Sequence, residues 1–178
     1  MRDTKKIFKD TISEILNKQG TDDVLSEAAL PAYAHKNPII DYIFWRRLSL
    51  VVEFINKNVN SNSAILDFGC GTGVVSYELA KKGFNLTSID LDLSPLKLLK
   101  SKINYPSNIN FIENDFLTMN FDSQQFEAII ALDVLGSING TIYLNGFPSY
   151  NAQTKEIYFD KLDYALDTKN KLIEKLKI

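Results

Sequence analysis

The chain has 178 residues, 45% hydrophobic and 24% charged, which is typical of one globular domain with a short appendage. The formal net charge of −2 gives no electrostatic reason to expect nucleic acid as the main partner. A single cysteine excludes an internal disulfide and any metal site built on several cysteines, so we expect no metal site. The N-terminus is polar and no apolar run approaches the roughly 20 residues of a bilayer span, so we expect no membrane partner and a cytoplasmic location.

Residues 1–60 predict a helical cap ahead of the core. Apolar residues recur at helical spacing through residues 7–16, and Gly20 supplies a stop. Two prolines in residues 30–38 predict an irregular segment. Residues 40–58 then predict a long amphipathic helix. Its predicted apolar side consists of Ile43, Phe44, Leu48, Val51, Val52 and Ile55.

Residues 61–178 predict an α/β core. Short apolar runs at 64–68, 86–90, 110–113 and 126–131 indicate strands. A helix is predicted between the first two runs, over residues 74–82, and a second opens with Ser94 as its N-cap and Pro95 at its first position. This alternation predicts a Rossmann-like, doubly wound, mostly parallel sheet.

The strongest local signal is a glycine loop between the first strand and its helix. Gly69, Gly71 and Gly73 give the spacing G-x-G-x-G, and glycine allows positive φ and a close approach of backbone to a ligand. Dinucleotide sites use G-x-G-x-x-G, and Val74 stands where the last of those glycines would fall. The alternative is a tight turn with no ligand.

Residues 65–73 resemble the first motif of class I methyltransferases that depend on S-adenosyl-L-methionine (SAM). The resemblance implies that the loop backbone, at Gly69, Gly71 and Gly73, lies against the methionine part of SAM. It also implies that Asp67 helps to hold the ammonium group. SAM has no pyrophosphate and so does not need the third close approach of the loop, at the position where this chain has Val74.

Further residues after the strands agree with a SAM site. Asp90 ends the second strand and can accept hydrogen bonds from both ribose hydroxyls, although an ordinary turn aspartate is the alternative. Leu91 is then expected to cover one adenine face. Asp115 and Phe116 resemble the motif in which an acid meets the adenine amino group beside an apolar neighbour.

Residues 132–135 resemble the segment that lines the methyl-transfer pocket of the family. The resemblance implies a cofactor contact for Asp133 and a substrate-pocket position for Val134. Family members often continue with Glu-His, where this chain has Gly136 and Ser137. This difference leaves the segment without a specific catalytic residue.

Residues 30–38 and 44–48 resemble the N-terminal region of some bacterial small-molecule methyltransferases, in which this region caps the active site. His35 is the only histidine and therefore the candidate general base. Tyr33 is assigned to the substrate pocket. The alternative is that both side chains only pack a loop on the core.

The C-terminal third departs from the family. A predicted strand at 141–144 begins nine residues after Leu132, too soon for the usual crossover helix, and Asn139-Gly140 is a hairpin signal. Residues 158–177 predict a helix, and we expect no terminal strand pair. The core is therefore expected to be incomplete at its C-terminus.

These observations predict a SAM-dependent methyltransferase that transfers a methyl group directly to a small-molecule acceptor. A non-catalytic SAM-binding or partner-binding protein derived from a methyltransferase is the alternative, and Val74 disfavours a nucleotide-dependent oxidoreductase. Whether the chain forms a homodimer is left undecided, because a partner chain could complete the site. Without such a partner we expect weak turnover.

Overall fold

Helices come first along the chain in the computed structural model, which describes residues 1–19, 30–115, 118–119, 125–132, 149–151 and 156–158. Among the described residues these are α1 (Arg2–Gln19), α2 (Leu30–Tyr33) and α3 (Pro38–Asn58). The start of α3 follows from its sequence. The Asn37 side chain accepts hydrogen bonds from the amides of Ile39 and Ile40, and Pro38 occupies a first-turn position that needs no amide donor.

The N-terminal helices partly confirm the sequence predictions. The helix predicted over residues 7–16 is confirmed as α1, whereas Gly20 lies outside the described residues. The irregular segment predicted at 30–38 is wrong over α2, because Pro31 sits in the first turn, where a proline is tolerated.

The buried face of α3 also differs from the prediction at two positions. Trp45 is 4% exposed and joins the core, whereas Ile43 is 55% exposed. Apolar residues occur on more than one side of this helix, so spacing alone placed Ile43 on the buried side. Leu48, Val52 and Ile55 are buried as predicted, and Phe44 and Val51 pack against the core.

Strands and helices alternate after α3. The order is β1 (Ala64–Phe68), α4 (Val74–Ala80), β2 (Asn85–Asp90), α5 (Ser94–Lys100), β3 (Ile109–Glu113) and β4 (Ala128–Ile130). The four strands form a parallel sheet in the order β3-β2-β1-β4. Leu66 of β1 lies opposite Thr87 of β2 and Ile129 of β4. This arrangement confirms the predicted Rossmann-like α/β fold.

The start of α5 lies one residue away from the prediction. Leu93 occupies the N-cap position, so Ser94 and Pro95 are both inside the helix. The Asp92 carboxylate accepts a hydrogen bond from the Ser94 amide over 2.8 Å. This bond gives a partner to one of the amides that the first turn of a helix leaves free. The acid two residues upstream therefore takes the predicted role of the serine.

Two layers of apolar contact cover β1. Ile65 belongs to a cluster that contains Phe8 and Ile12 of α1 and Val52 of α3, whereas Leu66 packs with Ile89 in a second cluster. Hydrogen-bonded ion pairs from Lys5 and Lys9 to Asp41, at 2.6 and 2.7 Å, further join α1 to α3. The N-terminal helices are thus part of the main core, and the division at residue 60 stays a prediction.

A separate antiparallel pair follows in the chain: β5 (Ser149–Asn151) pairs with β6 (Glu156–Tyr158). This pair forms a sheet of its own ahead of residues 159–177, whereas the strand pair that we expect to be lacking would follow the predicted C-terminal helix, so that expectation stays a prediction. Three-residue strands are too short to show an alternating pattern in the sequence. The predicted strand at 141–144, the Asn139-Gly140 turn and residues 159–177 of the predicted helix lie outside the described residues.

Within the ranges that the structure describes, we find no helix with both the length and the apolar character that a membrane span requires.

Candidate cofactor site

The glycine loop lies at the carboxyl edge of the parallel sheet, between β1 and α4. The amides of Gly69 and Cys70 both donate to the carbonyl of Ile89, at 2.8 and 3.2 Å. The Gly73 amide donates to the Cys70 carbonyl over 2.7 Å and closes the turn. The loop is therefore held against the end of β2, where an open α/β sheet places its ligands.

The glycines of the loop have different surroundings. All three have positive φ: 71° at Gly69, 52° at Gly71 and 69° at Gly73. A Cβ added at Gly71 would meet no atom of the described residues within 4 Å, whereas one at Gly73 would lie 3.0 Å from the Phe111 ring and 3.2 Å from Leu96. Gly73 is therefore required for packing, while Gly71 faces open space.

Asp90 links the glycine loop to the end of β2. Its Oδ2 accepts a hydrogen bond from the Gly71 amide over 2.7 Å, and its Oδ1 accepts one from the Asp92 amide over 3.4 Å. An ionised carboxylate has about four acceptor positions, so capacity remains for a ligand. The predicted ribose contact of Asp90 stays a prediction, and the side chain is partly exposed as that contact requires.

Neighbours of Asp90 lie at the same edge. Leu91 is 73% exposed, although its side chain is apolar. The Asn114 amide donates to the Asp90 carbonyl over 3.0 Å, which brings the end of β3 and the exposed Asp115 beside β2. The structure therefore places Asp90, Leu91 and Asp115 along one edge, whereas Phe116 lies outside the described residues.

Asp67 is enclosed beneath the loop. It is 3% exposed, and its carboxylate accepts a hydrogen bond from Ser76 Oγ, which lies 2.7 Å from Ser88 Oγ. Burial raises the pKa of Asp67 to about 6, the Ser76 hydrogen bond opposes this shift, and the charge of Asp90 adds to it. The carboxylate joins β1, α4 and β2, and its predicted contact with an ammonium group stays a prediction.

Ser76 and Ser88 were not identified from the sequence. Both are fully buried polar residues within apolar segments. A buried hydroxyl needs a hydrogen-bond partner, so a serine within a predicted buried helix or strand is the signal that could have indicated them.

Cys70 and Thr72 complete the interior of the loop. Burial, followed by the charges of Asp67 and Asp90, raises the pKa of the Cys70 thiol well above its usual range, so the thiol stays protonated. The buried hydroxyl of Thr72 has no hydrogen-bond partner within the described part of the chain. Its carbonyl accepts a 2.7 Å hydrogen bond from the Tyr105 hydroxyl.

The two N-terminal candidates lie around the start of α3. The Tyr33 ring packs edge-on against Phe44 and Trp45, with centroids 4.6 and 5.9 Å apart. His35 Nδ1 accepts a hydrogen bond from the Asn37 amide over 3.0 Å, so a neutral ring carries its proton on Nε2. In this arrangement Nε2 can donate but cannot accept a proton. The base role of His35 stays a prediction.

Asp133 and Val134 lie outside the described residues. An apolar cleft of about 770 Å³ ends just before them, at Leu132. Its lining comes from α3 and from residues 129–132, and includes Leu50 and Phe54. The glycine loop contributes nothing to this lining, so the cleft is separate from the loop edge.

The parallel order β3-β2-β1-β4, the glycine loop after β1 and the acid at the end of β2 define a Rossmann-like α/β domain with a candidate ligand site at its carboxyl edge. Residues 65–142 match the family model described as a methyltransferase domain. A second model, described as a domain of unknown function, matches residues 119–177.

Curated relatives of the chain are methyltransferases by name as well. The ubiquinone biosynthesis O-methyltransferase of Rickettsia bellii is 33% identical over 99 residues, which cover 50% of this chain and 38% of the relative. The ribosomal RNA small subunit methyltransferase A of Mesomycoplasma hyopneumoniae is 32% identical over 82 residues, which cover 46% and 31%. The chain thus spans about a third of the length of these relatives, which differ in the acceptors that their names indicate.

A solved structure shows the same fold. The N-methyltransferase NodS from Bradyrhizobium japonicum, in complex with S-adenosyl-L-homocysteine, superposes with a TM-score of 0.51 at 18% identity. The match covers 93% of this chain and 67% of NodS. At this identity the likeness concerns the fold alone.

Proposed function

We propose that this chain binds SAM at the carboxyl edge of β1 and β2 and takes part in methyl transfer to a small-molecule acceptor. The observation that carries the proposal is the geometry of Gly71. Its amide donates to Asp90 over 2.7 Å, and among the described residues no atom lies within 4 Å of the position that a Cβ would take. A side chain would fill this space, so glycine leaves room for a ligand against the backbone.

The charges of the edge fit SAM better than a dinucleotide. Asp67 and Asp90 lie close enough for the charge of one to raise the pKa of the other. SAM has a sulfonium and an ammonium group, and both would relieve the repulsion between two carboxylates. The pyrophosphate of NAD would increase it. The acid pair therefore supports a cationic ligand.

Several of the predicted contacts are supported by described residues at this edge. Asp90 would accept the ribose hydroxyls with its unused lone pairs, exposed Leu91 would cover an adenine face, and Asp115 would meet the adenine amino group. Asp67 lies beneath the loop, where its charge would favour the ammonium group without direct exposure. The Thr72 hydroxyl, which has no hydrogen-bond partner in the described ranges, leaves further hydrogen-bonding capacity within the loop.

SAM, when bound, supplies a methyl group that is already activated on sulfur. The residues of the chain therefore have mainly to align the reactants and exclude water. Tyr33 and Val134 are the residues that we assign to the acceptor side. His35 would assist as a base only after its hydrogen bond with Asn37 breaks, because Nδ1 is occupied and Nε2 carries the proton.

A small-molecule acceptor is supported by charge. A net charge of −2 provides no general attraction to a polyanion, whereas nucleic-acid partners are usually bound through an excess of Lys and Arg. One of the relatives is a ribosomal RNA methyltransferase, so RNA is the acceptor class with which small molecules should be compared.

The deciding experiment is isothermal titration calorimetry with SAM, S-adenosylhomocysteine and NAD on the same preparation. We expect micromolar binding of the first two and no comparable binding of NAD. Tighter binding of NAD would overturn the proposal. For the acceptor, a methyl-transfer assay would compare a panel of small molecules with a ribosomal RNA fragment, and methylation of the RNA alone would overturn the small-molecule assignment.

A further inference from the structure

Tyr105 connects the glycine loop to a cluster of aromatic rings. It lies between α5 and β3, and its hydroxyl donates to the Thr72 carbonyl over 2.7 Å, across 33 residues of sequence. Its ring packs edge-on against Tyr77 and Phe111, both with centroids 5.5 Å away. A hydrogen bond from such a packed ring fixes the position of the Thr72 carbonyl.

Two sets of contacts therefore hold the loop at its two ends. At the first end, the Ile89 carbonyl accepts from Gly69 and Cys70. At the second end, Tyr105 holds Thr72, and Phe111 lies directly against Gly73. Gly71 lies between these ends, and its amide is the one that reaches Asp90.

The aromatic cluster also reaches the N-terminal helix. Phe8 of α1 is fully buried and packs edge-on against Tyr77 and Tyr105, with centroids 5.3 and 6.0 Å apart. Edge-to-face contacts of this kind favour defined ring orientations. The docking of α1 thus supports the ring whose hydroxyl holds the loop.

We propose that Tyr105 is a positioning residue of the SAM site: its hydroxyl holds the Thr72 carbonyl, keeps Gly71 open toward the ligand, and makes cofactor affinity depend on the aromatic cluster that includes Phe8. This inference rests on the proposed function. Tyr105 is suited to the role at every physiological pH. Burial, and then the neighbouring Tyr33, Cys70 and Tyr77, raise its pKa, so the phenol remains a hydrogen-bond donor.

Tyr105→Phe removes the hydroxyl and retains the ring. Tyr77→Phe is a matched control, because Tyr77 packs in the same cluster and its hydroxyl has no hydrogen-bond partner among the described residues. Calorimetry with S-adenosylhomocysteine would measure the affinity of both variants. Amide hydrogen exchange of the ligand-free proteins would report on residues 69–73 separately from β1 and β2.

For Tyr105→Phe we expect affinity for S-adenosylhomocysteine to fall about threefold to tenfold, the range for loss of one net hydrogen bond. Amides of residues 69–73 should exchange faster, while those of β1 and β2 stay unchanged. Tyr77→Phe should match the parent in both measurements. A purely structural role for Tyr105 would instead accelerate exchange in the strands as well as in the loop.

Equal affinity and equal loop exchange in the two variants would overturn the inference. Failure of the parent protein to bind S-adenosylhomocysteine would count against the proposed function. In that case the loop exchange of the ligand-free variants still decides whether Tyr105 holds the loop. The two failures are therefore distinguishable.

Discussion

The Gly71 amide donates a 2.7 Å hydrogen bond to the Asp90 carboxylate, and this contact joins the loop after β1 to the last residue of β2. Gly71 lies outside the strands, whereas Asp90 is paired with Glu113 of β3, so the end of the sheet holds the middle of the loop in position. A ligand that contacts both would find them already in place, which reduces the ordering that binding requires.

Replacing Asp90 with alanine should weaken cofactor binding. The substitution removes the acceptor that we assign to the ribose and also releases the Gly71 amide. We expect a loss of about 1–3 kcal/mol, the usual range for buried polar groups left unpaired, in calorimetry with S-adenosylhomocysteine. Asp92→Ala is the matched control, since Asp92 is an exposed acid two residues further on. Equal losses in the two variants would contradict the ribose assignment.

The glycines at 71 and 73 should respond differently to alanine. Both have positive φ, so each substitution strains the backbone by about 1–2 kcal/mol. Gly73→Ala should add about 1–3 kcal/mol through its contacts with Phe111 and Leu96. The added methyl group of Gly71→Ala meets no atom in the described part of the chain, so this variant should lose affinity for S-adenosylhomocysteine with little further loss of stability. Gly71→Val should abolish binding.

Thermal unfolding and calorimetry of the two alanine variants would separate these effects. The melting temperature should fall further for Gly73→Ala than for Gly71→Ala. Unchanged affinity in folded Gly71→Ala would show that the open space at this glycine is not the ligand position.

Stability should depend on pH through Asp67. Burial raises its folded-state pKa from an ordinary value of 3.8 to about 6, so between these values the folded state binds the extra proton. The contribution to stability is therefore complete below pH 3.8 and is lost as the pH rises through about 6. A shift of this size corresponds to about 3 kcal/mol. Asp67→Asn does not titrate and should not show the loss.

Urea unfolding at pH 4.5 and pH 7 would measure this effect as a difference from the parent protein. The stability of Asp67→Asn relative to the parent should rise between the two pH values. Asp92→Asn is the control. The hydrogen bond from Ser94 lowers the pKa of Asp92, so its titration lies below this window. An identical pH response of both variants would mean that Asp67 is not the titrating group.

Trp45 and Ile43 test which face of α3 is buried. Trp45 is 4% exposed and donates from Nε1 to the Tyr33 carbonyl over 3.2 Å. Trp45→Ala should therefore cost about 3–5 kcal/mol in the free energy of unfolding. Ile43 is 55% exposed, and Ile43→Ala should change stability by about 0.5 kcal/mol or less. Chemical unfolding of both variants would check this, and the reverse order would place the buried face where the sequence predicted it.

The strands and the glycine loop were predictable because each depends on a pattern within a few neighbouring residues. The apolar run of β1, the glycines after it and Asp90 at the end of β2 each have a short-range signature, and all lie where the sequence placed them. The parallel pairing of β1 with β2 and β4 then follows from the preference for parallel βαβ units.

The supporting contacts of the site were not predictable in the same way. Tyr105 reaches Thr72 from a connection that has no motif, and the distance between them in sequence is 33 residues. The partners of Asp67 depend on how α4 lies against β2, which no spacing rule specifies. His35 was a candidate only because it is the sole histidine, and its bond to Asn37 depends on the start of α3.

The single cysteine of the chain gives the glycine loop a chemical reporter. Cys70 is 8% exposed and its thiol is held in the protonated form, so alkylating reagents can react with it only when the loop opens. Its rate of modification in the native protein therefore measures the frequency of loop opening without any added label. A bound ligand that closes the loop would slow this reaction, so the same thiol also provides a simple competition assay for screening compounds.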